Sequence, residues 1–410
     1  MVRRMGGRVA SLDLGTAKTC VVVGEVTERG VGVAALGTAP SRGVRKGVIV
    51  HVDSTVASIR KAVEEAEAMA GCAITHVVAS IGGAHVRGVS SHGVVAVRNG
   101  EVSAGDLGRV LDAARAVALP ADREVLHILP QEYLIDEQEG IREPIGIAGV
   151  RLEAKVHIVT SQVAAAQNLI KCCRQAGLVV DDVVLGGLAA ADAVLTPEEK
   201  DLGVALVDVG GGTSDLVIFQ GGAVKHTATL ALAGGHITND LAAGLRTPTI
   251  EAEKIKQRFG CARADGVEGY GSVEVPSVGD REPRLLSRQV LCQIIEPRVE
   301  EIFALVAREI IRSGYEESLA SGVVLTGGTA LLDRVAQVAE KVFRMPVRIG
   351  VPQHVTSLGD LVTSPVYAVA IGLVLTGATG VRPVRMMSAR ENGLVGRVRQ
   401  RMTYWFRDFF

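Results

Sequence analysis

The sequence is poor in aromatic residues and has almost no net charge. Phenylalanine, tryptophan and tyrosine together make up 3% of the 410 residues, and the formal net charge is −1. A chain without a basic excess has no overall field that attracts nucleic acid or an anionic membrane, so any such contact must be local. We therefore expect no nucleic-acid partner.

Cysteine and histidine occur without the spacings typical of metal sites. The six cysteines include no CxxC pair, and the adjacent Cys172 and Cys173 suit neither a zinc site nor a regular disulfide. The nine histidines are scattered along the chain without ligand spacing. These patterns predict reduced, cytosolic thiols and no metal site built on histidine.

The sequence also lacks the marks of a membrane span and of a signal peptide. The uncharged run 361–381 contains Pro365, a serine, several threonines and three glycines, so we interpret it as a buried core segment. The N-terminus is basic, but Asp13 interrupts it before any apolar stretch of signal-peptide length.

What the chain does contain indicates an α/β protein of more than one domain. Its 410 residues exceed the roughly 250–300 at which a single core stops growing. Hydrophobic residues make up 48%, and there are 48 glycines. A core of Val, Ile, Leu and Ala joined by glycine turns suits alternating strands and helices.

One local pattern occurs twice. Residues 9–26 and residues 202–219 each predict a strand, a glycine-containing turn and a second strand. The repeat suggests two similar halves that arose by duplication. Between them, from about 85 to 157, the pattern of strands and helices changes, and this change predicts an inserted subdomain. Further helices are predicted at 53–69, 104–118, 162–176, 249–259, 286–312 and 365–376, and further strands at 76–81, 93–97, 124–130, 155–160 and 323–325.

Three glycine-containing segments carry the candidate chemistry. They are SLDLGTAKT (11–19), LVDVGGGTSDL (206–216) and GVVLTGGTALL (322–332). Glycine turns bring backbone N–H groups close to phosphate oxygens, because no Cβ stands in the way. A lone turn of this kind is usually a plain β-turn. Three in this order, two of them in a duplicated context, favour a nucleotide site.

Side chains in these segments suit a metal-bound triphosphate. The first turn offers the Thr16 hydroxyl and the Lys18 ammonium, and the second offers the hydroxyls of Thr213 and Ser214. Carboxylates at strand ends can hold Mg²⁺ through its waters, since Mg²⁺ keeps much of its hydration shell. The sequence thus predicts ATP and Mg²⁺ as ligands, with Asp13 and Asp208 as the metal-facing groups.

The order and spacing of these segments resemble the actin, Hsp70 and sugar-kinase superfamily. Within it, the stretches 40–53, 127–160 and 273–303 resemble the FtsA family of bacterial cell-division proteins, and the resemblance covers nearly the whole chain. It implies the actin-like ATPase fold, with two duplicated halves around a nucleotide cleft and an inserted subdomain in the first half. The implied division is a first half at 1–84 and 161–201, an insert at 85–160, a second-half core at 202–227 and 305–380, its small subdomain at 228–304, a linker at 381–392 and a terminal helix at 393–410.

The resemblance also assigns site residues. Those that look like the first phosphate element are Asp13, Gly15, Thr16 and Lys18. Those that look like the second are Asp208, Gly210, Gly211, Gly212, Thr213 and Asp215. Those that look like the nucleoside side and the adenosine element are Gly234, Gly235, Glu253, Lys256, Gly327, Gly328 and Ala330. For Glu253 and Lys256, which lie three apart on a helix, a solvated ion pair is the alternative.

One departure bears on catalysis. Relatives in the superfamily often carry a glutamate just before the small-residue helix of the first half, where it helps to position the attacking water. The matching stretch here, 184–195, has Gly186 and Gly187 and no acid at that place. A general base must lie within hydrogen-bond reach of the water. The sequence therefore supports ATP binding better than hydrolysis, and whether the protein is an enzyme stays open.

The end of the chain predicts a helix that lies in a membrane surface. At about 100° per residue an apolar stripe forms, and arginines flank it. The stripe consists of Leu394, Val398, Met402, Trp405, Phe406 and Phe409. Tryptophan suits the interface and arginine suits anionic headgroups. The alternative is a terminal helix packed on its own domain.

The implied function is assembly rather than chemistry. The resemblance implies an ATP-binding protein that forms filaments with itself, binds the C-terminal peptide of FtsZ, attaches to anionic membrane at the cytoplasmic side of the division septum and recruits later division proteins. The alternatives are a sugar- or acetate-kinase-type enzyme, for which no convincing base is found, and a pilus-assembly relative of the same fold.

Overall fold

The computed structural model describes residues 7–28, 30–265, 271–277, 282–353, 355–356 and 362–379. The predicted linker and terminal helix, 381–410, lie outside the described residues, as do the membrane-facing side chains assigned to them. Among the described residues, no helix is long and apolar enough to cross a membrane.

Strands and helices alternate along most of the chain. The strands are β1 (Arg8–Leu14), β2 (Lys18–Thr27), β3 (Gly30–Pro40), β4 (Val44–Arg45), β5 (Val48–Ile49), β6 (His76–Ile81), β7 (Arg87–Ala96), β8 (Arg123–Ile135), β9 (Gln138–Ile141), β10 (Arg151–Gln162), β11 (Val179–Leu185), β12 (Val204–Val209), β13 (Ser214–Gln220), β14 (Ala223–Leu230), β15 (Ser272–Val275), β16 (Arg284–Ser287), β17 (Val323–Thr326), β18 (Val347–Ile349) and β19 (Val355–Thr356). The helices are α1 (Val52–Ala70), α2 (Ala104–Arg115), α3 (Val163–Gln175), α4 (Gly186–Val194), α5 (Pro197–Leu202), α6 (Gly234–Leu245), α7 (Thr249–Phe259), α8 (Arg288–Ser313), α9 (Val335–Phe343) and α10 (Ala368–Ala378).

Two sheets of the same topology confirm the predicted duplication. In the first half the strand order is β11-β6-β1-β2-β3-β19, and in the second it is β14-β13-β12-β17-β18. Each half has an antiparallel hairpin, β1–β2 or β12–β13, whose first strand pairs in parallel with a later strand, β6 or β17. This is the actin-like arrangement of two halves.

The local chemistry explains why the elements form where they do. Helix α1 buries Val56, Ile59, Val63 and Ala66 on one face. It ends at Gly71, whose φ of 65° places it in the left-handed region and whose N–H bonds to the Glu67 carbonyl. Strand β2, by contrast, is buried on both faces over most of its length, as expected for a strand with helices on both sides.

The insert forms a separate layer. Strands β7, β10, β8 and β9 make a four-stranded sheet in that order. The paired strands run antiparallel, and α2 packs on β7 and β10. Its core is a cluster of its own around Val110, Leu152 and Val156. The predicted inserted subdomain is therefore confirmed, and it is rooted in the first half through β6 and α3.

The run at 361–381 was predicted to be a buried core segment, and its described part is one. After a 3₁₀ turn at Pro365–Tyr367, α10 packs against α4 with Ile371 and Leu373 fully buried. The two helices cross so closely that a Cβ on Gly372 would come within 1.7 Å of the Ala189 carbonyl oxygen.

Candidate nucleotide site

The two predicted phosphate turns face each other across a cleft between the halves. Each turn closes with the same hydrogen bond, from Gly15 N–H to the Lys18 carbonyl and from Gly210 N–H to the Thr213 carbonyl, both 3.0 Å. A Cβ on Gly211 would lie 2.7 Å from the Ala17 Cβ of the opposite turn. A side chain at that position would therefore fill the space between the turns.

The cleft contains a cavity of about 170 Å³. Its lining includes most of the residues assigned from the sequence. These are Asp13, Gly15, Thr16, Lys18, Asp208, Gly210, Gly211, Gly212, Thr213, Asp215, Gly327 and Gly328. The structure thus brings together segments that are some 300 residues apart in the chain.

Three carboxyl groups meet at the floor of this cleft. The Ser80 hydroxyl donates to Asp13 Oδ1 at 2.8 Å, and the Thr229 hydroxyl donates to Asp215 Oδ1 at 2.5 Å. Asp208 is 8% exposed. Loss of hydration raises the pKa of Asp13; loss of hydration and the neighbouring acids raise the pKa of Asp208 to about 8 and of Asp215 to about 6.

Lys18 is the cation of the cavity lining. Its ammonium donates to the Val366 carbonyl at 2.8 Å and lies 4.2 Å from the centre of the Tyr367 ring. Its charge lowers the pKa of Asp13 and of Asp208, against the larger effect of burial. When ionised, the three carboxyl groups would leave an excess of negative charge over the single ammonium, and a divalent cation would offset it.

The carboxyl groups fit a hydrated Mg²⁺ better than a dehydrated ion. Among the described residues, no three His, Cys, Asp or Glu side chains converge closely enough to chelate a metal directly. Mg²⁺ is commonly held by one or two carboxylates together with waters and substrate phosphates. Asp13 and Asp208, the two groups predicted from the sequence for that role, both line the cavity.

The residues assigned to the nucleoside side lie behind the second turn, outside the cavity lining. Gly234 N–H donates to the Gly210 carbonyl at 3.1 Å, and Gly235 N–H donates to the Gly211 carbonyl at 2.7 Å. The start of α6 therefore braces this turn. Ala330 is buried in the core of the second half.

Glu253 and Lys256 form an ion pair of 2.8 Å that is also hydrogen-bonded to α6. The Lys256 ammonium donates to the Gly234 carbonyl at 3.1 Å and to the Thr238 hydroxyl at 2.9 Å, and its side chain is 13% exposed. The pair is thus more than a solvated contact, because it fixes the helix that supports the phosphate turn.

Several lining residues were not identified from the sequence. Ser80 and Gly82 reach the cleft because β6 pairs in parallel with β1, so both strands end at the same edge. The Gly47 N–H donates to the Thr16 hydroxyl at 3.0 Å. Val366 meets Lys18 from the far end of the chain. Ser80 and Gly82 could have been identified from the sequence, because the predicted strand at 76–81 ends in a Ser-Ile-Gly-Gly segment.

The structure also shows no acidic residue at the start of the small-residue helix of the first half. Helix α4 begins at Gly186 and has no acidic residue in its first turn. A Cβ on Gly187 would lie 3.5 Å from the Asp215 Cβ. The acids that line the cavity are the three aspartates at its floor.

Two family models match the chain. The model described as "Cell division protein FtsA" matches residues 205–372, and the model "SHS2 domain inserted in FTSA" matches residues 83–160. The second match falls on the layer of four strands and α2 that interrupts the first half.

Curated relatives extend the match over nearly the full length. The chain is 53% identical to cell division protein FtsA of Pseudomonas aeruginosa over 373 residues, which cover 91% of this chain and 89% of the relative. It is 40% identical to the protein of the same name from Escherichia coli K12 over 411 residues, 98% of each chain.

Solved structures of low identity share the fold. The PilM–PilN type IV pilus biogenesis complex matches 90% of this chain and 98% of its own, with a TM-score of 0.65 and 17% identity. The MamK double helical filament matches 90% and 98%, with a TM-score of 0.53 and 13% identity. MreB5 of Spiroplasma citri bound to ADP matches 89% and 94%, with a TM-score of 0.51 and 14% identity.

These structures confirm the actin-like fold. The sequence relatives, at far higher identity, decide among the families that share it and set aside the pilus-assembly and kinase alternatives. The chain belongs to the FtsA family of cell division proteins.

Proposed function

We propose that this protein binds Mg–ATP in the cleft and uses it to assemble filaments that attach the FtsZ ring to the cytoplasmic face of the membrane. The observation that carries the nucleotide part is the pair of facing glycine turns above one lysine and three carboxyl groups, of which Asp208 is buried and Asp13 and Asp215 are half-buried. Backbone N–H groups and Lys18 would bind phosphate oxygens, and Asp13 and Asp208 would hold the hydrated metal.

The size of the cleft favours a motion between the halves on binding. A cavity of about 170 Å³ is smaller than the roughly 300–1,000 Å³ of typical ligand sites. It has room for part of a nucleotide, and a Cβ on Gly211 would already collide with Ala17 across it. ATP would therefore enter by separating the turns, with the purine resting on the flat surface of Gly327 and Gly328.

We infer that turnover is slow or undetectable. The acidic side chains of the cavity are needed for the metal, and α4 offers no carboxylate for the attacking water. The protein would then act as a nucleotide-dependent assembly unit, with ATP as a structural ligand.

Self-assembly is proposed to use the insert. It has its own core and contributes no residue to the cavity lining, which leaves its outer surface for contact with a second copy. A contact between different surfaces of successive molecules gives open filaments. MamK, a neighbour in fold, forms a double helical filament.

Membrane attachment is assigned to 393–410 from the sequence. Its single tryptophan, Trp405, and its arginines suit an anionic lipid surface. A short helix binds reversibly, so filaments would hold the membrane more firmly than single molecules.

A reconstitution tests the whole proposal. Anionic liposomes, labelled FtsZ and the protein with Mg–ATP are sedimented together, and the matched variants are a truncation after Arg390 and Trp405→Glu. We expect FtsZ to pellet with liposomes only when the full chain is present, while both variants still bind ATP. If the truncated protein pellets with liposomes as well as the full chain, the terminal helix is not the anchor. If the protein does not capture FtsZ in solution, FtsZ is not its partner.

A further inference from the structure

The insert belongs to the first half, yet it holds a strand of the second half. The His157 Nε2 of β10 and the Thr227 hydroxyl of β14 are hydrogen-bonded at 2.8 Å. At the start of β14, the carbonyls of Val224 and Lys225 accept hydrogen bonds from the side-chain amide of Gln131 on β8, both at 3.0 Å. These bonds join the insert to β14 at two places.

The junction is closely packed. His157 is 1% exposed and Thr227 is 3% exposed. A Cβ on Gly88 would lie 2.5 Å from the His157 ring and 2.7 Å from the Thr227 hydroxyl, so a glycine is needed there. Burial and the nearby His226 lower the pKa of His157 to about 3, and the ring is neutral at physiological pH. The contact is therefore a neutral hydrogen bond in a dry environment.

The same strand reaches the cleft. Thr229 lies directly opposite Asp215 in the β13–β14 register, and its hydroxyl donates to Asp215 Oδ1 at 2.5 Å. Thr227 and Thr229 are two residues apart, so both side chains stand on one face of the sheet. His226, on the other face, is bonded to Glu309 of α8 at 2.8 Å, which keeps β14 within the second half.

We propose that β14 couples the nucleotide cleft to the insert, with Thr229 as the positioning residue of Asp215 and Thr227 as the contact that transmits the shift to His157. Any displacement of the second phosphate turn carries Asp215 and the strand beside it. The insert is bonded to that strand, so its orientation on the first half follows. The inference rests on the proposed binding of Mg–ATP at the cleft.

Two isosteric variants separate the ends of this link. Thr229→Val removes the hydroxyl on Asp215, and Thr227→Val removes the hydroxyl on His157; the matched controls are Thr229→Ser and Thr227→Ser, which keep it. Mg–ATP affinity is measured by calorimetry. Amide hydrogen exchange is measured with and without saturating Mg–ATP on β14 and on β8 and β10 of the insert.

In the parent chain we expect Mg–ATP to change exchange on β14 and on the insert strands. Thr229→Val should bind Mg–ATP about tenfold more weakly, because it loses a hydrogen bond to a charged group. Thr227→Val should bind Mg–ATP within about threefold of the parent and keep the response of β14, but show a reduced response of β8 and β10, where the Gln131 bonds remain. Both serine variants should behave like the parent.

A third variant guards against a folding defect at position 227. Gln131→Met, of similar shape, cuts the other bond from the insert without changing β14 and should also reduce the insert response. If Mg–ATP binds to the parent chain and the insert response is absent, or persists fully in Thr227→Val and Gln131→Met, the coupling is wrong while the nucleotide site stands. If Mg–ATP does not bind the parent chain, the nucleotide site itself is wrong.

Discussion

Replacing Asp208 with asparagine should stabilise the protein at neutral pH and impair Mg–ATP binding at the same time. The carboxyl group lies on the cleft floor, where burial and the neighbouring Asp215 and Asp13 raise its pKa from 3.8 to about 8. A raised carboxyl pKa means that the folded state holds a proton that the unfolded chain releases. Stability contributed by this group therefore falls as pH rises from about 4 to about 8.

The size of the effect follows from that window. Each pKa unit corresponds to about 1.4 kcal/mol. Between pH 4 and pH 7 the folded protein keeps the Asp208 proton over about three units, which gives an upper limit of roughly 4 kcal/mol of lost stability. Asparagine has nearly the same shape and no charge to bury, so Asp208→Asn should recover about 2–4 kcal/mol at pH 7 and close to nothing at pH 4.

Urea unfolding of the nucleotide-free protein with EDTA, from pH 4 to pH 8, measures this difference. Asp112→Asn, at an exposed position on α2, is the matched control for the substitution itself. Calorimetry at pH 7.5 should show Mg–ATP binding to Asp208→Asn weakened by at least tenfold, since the metal loses one carboxylate. A difference in stability that stays constant over this pH range, or a destabilised variant at pH 7.5, would refute the reasoning.

Three further predictions concern binding, turnover and assembly. Gly211→Val should keep its fold by circular dichroism but lose most of its ATP affinity by calorimetry, because its side chain would fill the space in front of Ala17; an unchanged affinity would rule out the assigned site. Phosphate release with Mg–ATP should stay well below about 1 s⁻¹, the low end of ordinary enzymes, and a faster rate would mean that one of the cleft aspartates acts as base. Deleting residues 85–160 should abolish filaments in sedimentation and electron microscopy, so a folded deletion variant that polymerises normally would contradict the role of the insert.

The two glycine turns could be predicted from the sequence because their pattern is local. Asp13 and Gly15 lie within three residues of each other, and the second turn repeats the pattern around Asp208. Backbone approach to a phosphate demands glycine wherever the turn sits, so the signal survives without knowledge of the fold. The duplication of the halves was visible for the same reason, and the matching sheet orders confirm it.

Residues that contact the site only because of how the chain folds were not predicted from the sequence. Ser80 reaches Asp13 because β6 lies beside β1, and Val366 reaches Lys18 from 348 residues away. Strand β14 gave no distinct signal, since its lysine, histidine and threonines do not alternate clearly with apolar residues. Strand β14 matters because it lies between the cleft and the insert, and a single sequence does not show which segments it contacts.

The helix predicted at 286–312 shows how pairing can override local preference. Its first residues, Leu286 and Ser287, belong instead to β16, which pairs with β15, and α8 begins at Arg288. Periodicity could place the helix but not its beginning, because the competing strand partner lies in a stretch of Gly, Pro and Ser that reads as a loop.

The close crossing of α4 and α10 bears on how easily the halves can move. Where Gly372 meets Ala189, backbone touches backbone, and the neighbouring buried residues of α4 are mostly alanine. Alanine and glycine have no rotamers to lose, so the α4 side of this contact adds no side-chain reordering when the helices shift, and any reordering falls on Ile371 and Leu373 of α10. A motion of the halves about this crossing would therefore cost little side-chain entropy on the α4 side. At this crossing the small residues of a chain with few aromatics let two helix backbones meet, which larger side chains would keep apart.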